Sequence, residues 1–221
     1  MKTAILVDGG FYRYRAYYLW GAITPQERAS ELHNYCFNHL HYRNEHDNEL
    51  YRIFYYDCPP IDKKLYHPFL KTQIDFKKTD QYTWMTEFLT ELKSKRKVAI
   101  RLGKLAEDQA HYNIKPDVVK KLCNGSRSME NLTDNDFELS LDQKGVDMKI
   151  GIDIASMAYK HQVDRIVLIS GDSDFVPASK LARREGIDFI LDSMRANIKS
   201  DLHEHIDGMR TFVRNPNKQN K

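Results

Sequence analysis

Arg165-Ile166-Val167-Leu168-Ile169-Ser170-Gly171-Asp172-Ser173-Asp174 holds an unbroken apolar run that closes on a glycine and two carboxylates. Such a run, with no polar alternation, is the mark of a strand buried on both faces, as in a parallel sheet. Thr3-Ala4-Ile5-Leu6-Val7-Asp8-Gly9-Gly10, near the start of the chain, has the same grammar. Further strands are read at residues 50–56, closed by Asp57-Cys58-Pro59-Pro60, at 98–102 and at 187–191. Helical patterns separate them. One covers residues 26–44, with Leu32, Cys36, His39 and Leu40 near one face. Met85, Phe88, Leu89 and Leu92 recur at i, i+3, i+4 and i+7, and Ile150, Ile154, Met157 and Ala158 form another stripe. A short helix carries Leu181 and Ala182 and stops at Gly186; Ile198, Leu202 and Ile206 suggest a last one. Strands alternating with helices predict an α/β domain with a mainly parallel five-stranded sheet.

Residues 105–142 break this rhythm. They carry a net charge of −4 and a turn at Asn124-Gly125-Ser126, and are read as an insertion or an irregular connection. Residues 1–214 are otherwise read as one domain, followed by a polar tail at 215–221.

The chain has 221 residues, 41% hydrophobic and 29% charged, which is the composition of a folded chain rather than a disordered one. A net charge of +3 is too small to identify a nucleic-acid partner. No apolar run approaches the ~18 residues of a membrane span, and the apolar stretch at 4–7 is too short for a signal peptide. Cys36, Cys58 and Cys123 are few and far apart, so they are read as reduced thiols rather than a disulfide frame or zinc site. A cytoplasmic protein with no membrane partner is expected.

In an open α/β sheet, ligands bind at the C-terminal ends of the strands. Asp8 ends the first strand, Asp172 follows the fourth with Asp174 two residues on, and Asp147 opens the helix before the fourth. Taken singly, each is a turn residue or a helix cap. Together they bring carboxylates to one edge, where their repulsion must be offset. A hard divalent cation, Mg²⁺ or Mn²⁺, does that with oxygen ligands. Asp153 is six residues beyond Asp147, about 240° around a helix, and does not share its direction. Other apparatus is missing: there is no phosphate-binding Gly-rich Lys-Ser/Thr loop and no His-Glu-x-x-His. Ser170 and Ser173 have no local base and are read as turn hydrogen-bonding groups.

Contact with a single-stranded nucleic acid is expected from two regions. Residues 62–104 carry eleven Lys and Arg against five acidic residues, interleaved with Tyr66, Phe69, Phe76, Tyr82 and Trp84. Cations with aromatics suit a single strand, and equally suit a solvated helix face over a core. Tyr12-Arg13-Tyr14-Arg15 lies beside Asp8, either as a loop guiding such a strand or as packed helix residues. Lys144 precedes the helix of Asp147, placed to hold a phosphate. Lys144, Arg13, Arg15 and Ser170 are the candidate substrate contacts.

Val7-Asp8-Gly9-Gly10-Phe11, Lys144-Gly145-Val146-Asp147 and Ser170-Gly171-Asp172-Ser173-Asp174-Phe175-Val176-Pro177 resemble, in order and spacing, the three signatures of the NYN domain, in the LabA-like branch of the PIN-like nucleases. The resemblance runs from residue 3 to about 207. It implies a Rossmann-like, three-layer fold with strand order 3-2-1-4-5 and a metal-dependent ribonuclease. Asp8, Asp147, Asp172 and Asp174 are then its catalytic, metal-holding carboxylates. Phe11 departs from the pattern, since many members have Asn there. A catalytically silent RNA-binding or regulatory module is the alternative that this departure favours. A haloacid-dehalogenase-like phosphatase is a further one, although its usual Asp-x-Asp is missing at Asp8-Gly9-Gly10.

Overall fold

The computed structural model describes residues 1–41 and 48–213. In chain order the elements are β1 (Lys2–Asp8), α1 (Gly9–Trp20), α2 (Pro25–Asn38), β2 (Glu49–Asp57), β3 (Lys64–His67), β4 (Thr72–Asp75), α3 (Asp80–Ser94), β5 (Val98–Leu102), β6 (Lys104–Leu105), β7 (His111–Ile114), α4 (Pro116–Cys123), β8 (Phe137–Ser140), β9 (Gln143–Lys144), α5 (Val146–Tyr159), β10 (Arg165–Ile169), α6 (Val176–Arg184), β11 (Asp188–Asp192), α7 (Ser200–Glu204) and β12 (Gly208–Met209).

The main sheet runs β12-β11-β10-β1-β2-β5, with every neighbouring pair parallel. The five expected strands are present in the implied order. β12 corrects their number to six, and two residues are too few to show a period in the sequence. Alternation along β1 and β10 explains why both read as continuous apolar runs. Ile5, Val7, Val167 and Ile169 face a core completed by α1, α2 and α3, while Ala4, Leu6, Ile166 and Leu168 face a second core under α5, α6 and α7. Three layers follow from these two faces. Among the described residues no helix is long and apolar enough to cross a membrane.

The helix read over 26–44 is shorter than expected. A capping box of Thr24 and Glu27 starts it and it ends at Asn38; residues 42–44 lie outside the described residues, as does the 215–221 tail. Residues 105–142 are more regular than an irregular connection. β7 and β8 pair antiparallel, β6 pairs with β9 beside the sheet, and Arg127 clamps Asp136 within the lobe. Four-residue, half-buried strands carry too little pattern to be seen beforehand.

Candidate active site

α1 starts at Gly9, with no loop between it and β1, so Asp8 is both a strand end and a helix cap. Asp8 Oδ1 accepts the Phe11 N–H at 3.1 Å, and Oδ2 accepts the Ser170 hydroxyl at 3.0 Å. Gly9 is required by space: a Cβ there would lie 2.5 Å from Asp57 Oδ2 and 2.5 Å from the Tyr55 ring. Phe11 lies against Gly171, whose Cβ, if it had one, would meet the Phe11 ring at 2.9 Å. The Phe11 side chain is therefore used for packing.

Burial pushes the Asp8 carboxyl up to about 6, with Asp147 and Asp57 adding repulsion, while the bonds from Phe11 and Ser170 pull the other way. Asp147, on the first turn of α5, is also raised. Partial desolvation is the larger cause, followed by Asp172 and Asp174. Asp147 is exposed at the residue level, so the repulsion is the part of its shift that reports on the site. Asp172 caps a short 3₁₀ turn by accepting the Asp174 N–H at 3.0 Å. Asp8, Asp147, Asp172 and Asp174 thus form one electrostatic neighbourhood. Among the described residues, no three His, Cys, Asp or Glu side chains already stand together as a metal cage.

Asp57 is the carboxylate that reading the sequence missed. It ends β2, next to the end of β1, where Asp8 pairs with Tyr56. It is buried and fully satisfied: Arg13 Nε and Nη2 donate to it at 2.9 and 3.0 Å, the Tyr55 hydroxyl at 2.7 Å and the Cys58 N–H at 2.8 Å. A strand ending in Asp was the available signal; Pro59-Pro60 made it look like a mere stop.

The candidate substrate contacts do not converge. Arg13 is spent on Asp57 and makes no open RNA guide. Arg15 turns the other way, donating to the Met194 carbonyl at 2.8 Å and lying over the Tyr18 ring. Two residues on a helix are about 200° apart, which forces this divergence. Ser170 is buried and orients Asp8. Lys144 is exposed just ahead of α5, with one 3.4 Å contact to Gln109. Asp153 bonds Tyr56 and Arg101, away from Asp147. In the 62–104 region Lys63, Lys64, Lys77, Lys95, Lys97 and Arg101 each pair with a carboxylate, and Trp84 stacks on Phe88.

A family model for the NYN domain matches residues 2–209. Among curated proteins none matches the chain significantly. Among solved structures, a protein of unknown function from Vibrio parahaemolyticus is similar at 14% identity and a TM-score of 0.46, covering 94% of this chain and 90% of that one.

Proposed function

The chain belongs to the NYN domain family, a PIN-like group whose members are generally ribonucleases, and on that premise we propose that it hydrolyses single-stranded RNA with a divalent metal ion. The observation that carries this reading is the neighbourhood of Asp8, Asp147, Asp172 and Asp174 at the C-terminal edge of the sheet. An uncompensated focus of carboxylates, with no imidazole or thiolate among those four, fits Mg²⁺ or Mn²⁺ better than zinc. Asp8, Asp147, Asp172 and Asp174 are the residues that would hold the ion.

When bound, such an ion makes a water nucleophilic and stabilises the leaving oxygen of a phosphodiester. The residues of the chain do the rest. Ser170 and the Phe11 N–H fix the Asp8 carboxylate. The α5 cap region presents Asp147 beside Lys144, whose ammonium offers the phosphate a point charge. Arg13 pairs with Asp57, which limits but does not remove the repulsion that Asp57 exerts on Asp8.

Phe11 on Gly171 favours the silent RNA-binding module as the second reading. Family membership leaves the phosphatase alternative without support. Titration calorimetry separates the first two: Mn²⁺ and Mg²⁺ are expected to bind at millimolar or lower concentration, and Asp147→Asn to weaken binding about tenfold or more. Absence of binding for both ions, with RNA present or not, would leave only the silent module.

A further inference from the structure

We infer that the cavity between the end of β2 and the 105–142 lobe seats one nucleobase of the RNA strand, and that Gln81 and Gln143 read its edge. The inference rests on the ribonuclease reading above and extends it to base preference. The cavity measures about 400 Å³, within the range of small-molecule sites. The paired Arg13 and Asp57 line it at the end of β2, the strand next to β1. Tyr82 and Trp84 from α3 line it as well, with Leu139 and Leu141 from the lobe. The lobe thereby gains a function: it builds a wall beside the site.

Gln81 and Gln143 supply the polar chemistry. Both are exposed, and their amides make no hydrogen bond among the described residues. An amide offers a donor and an acceptor together, which is what the edge of a base requires. Aromatic walls supply stacking. Lys144, exposed and directly after Gln143, offers a neighbouring phosphate a point charge. A second cavity of about 450 Å³ shares Arg13 and Trp84 but opens along α1 past Tyr14 and Tyr17, without either glutamine. It serves as the control.

The test uses the full chain in EDTA and short labelled oligoribonucleotides, each with one abasic position, read by fluorescence anisotropy. One abasic position is expected to weaken binding about tenfold, the loss of one stacked base. Gln81→Leu with Gln143→Leu should erase the base preference at that position and leave the salt dependence unchanged. Both side chains are unbonded, so an unchanged melting temperature will confirm folding. Tyr14→Ala with Tyr17→Ala should not affect the preference. Affinity indifferent to every abasic position, or a preference that follows the tyrosines, would overturn the assignment. Cleavage with Mn²⁺ is scored separately. Cleavage without base dependence sinks the cavity and spares the ribonuclease; base-dependent binding without cleavage does the reverse. No binding in EDTA together with no cleavage in Mn²⁺ sinks both.

Discussion

Asp8→Asn is expected to abolish RNA cleavage and, at the same time, to stabilise the metal-free protein at pH 8. Asp8 has a folded-state pKa of about 6 against 3.8 for the free group. The folded state therefore holds this proton more tightly than the unfolded one. Below about pH 3 both states are largely protonated and the full stabilising contribution is present. It fades as pH rises through 6, and above that the ionised, desolvated carboxylate costs up to roughly 3 kcal/mol relative to its value at low pH. Asn removes that cost: its amide oxygen still accepts the Phe11 N–H, and its NH₂, in the place of Oδ2, donates to Ser170 Oγ with the hydroxyl reversed. In EDTA, the variant should melt higher than the parent at pH 8, with the gap closing towards pH 4. Its carboxylate ligand is gone, so turnover should fall to background at every pH. Were Asp8 only a helix cap, cleavage would persist; were its carboxylate not desolvated, the gap at pH 8 would be absent.

Arg13→Met is expected to be the most damaging single change of those considered, a loss of about 3–5 kcal/mol, because it strands a buried charge. Asp57 is 1% exposed, and Arg13 is the cation bonded to it. Arg13→Lys keeps the charge but loses the two-pronged fork, so it should fall between parent and Met. The double variant Arg13→Met, Asp57→Asn should be more stable than Arg13→Met alone, since it removes the stranded charge. Equilibrium denaturation of the four proteins measures this. An Arg13→Met protein as stable as the parent would show that Asp57 has another partner.

These two residues also show what a sequence can and cannot reveal. Asp8 was legible because it ends a strand buried on both faces, and such strands announce themselves as unbroken apolar runs. β10 and Asp172 were legible for the same reason, and Asp147 because it opens a helix with a clear Ile150, Ile154, Met157 stripe. The role of Arg13 was hidden. Its partner lies 44 residues away, and that pairing is set by the β1–β2 register rather than by local pattern. α1 was only half visible, because Gly9-Gly10 reads as a turn and only Gly9, Tyr12 and Ala16 are buried along it. Nor does sequence spacing bring Ser170 to Asp8, 162 residues apart. The wall that Leu139 and Leu141 add to the cavity was beyond reach, since the short strands around it depend on tertiary contact.

The central claim is that the carboxylate edge, loaded with a divalent ion, cuts RNA. It is tested most directly by incubating an end-labelled single-stranded RNA with the purified chain in Mn²⁺, in Mg²⁺ and in EDTA, alongside a generic phosphomonoester and the Asp8→Asn variant. Cleavage of the RNA by the parent with at least one ion, none in EDTA, none by Asp8→Asn and no hydrolysis of the phosphomonoester is the predicted result. RNA that stays intact with both ions, although bound by the parent, would contradict the account.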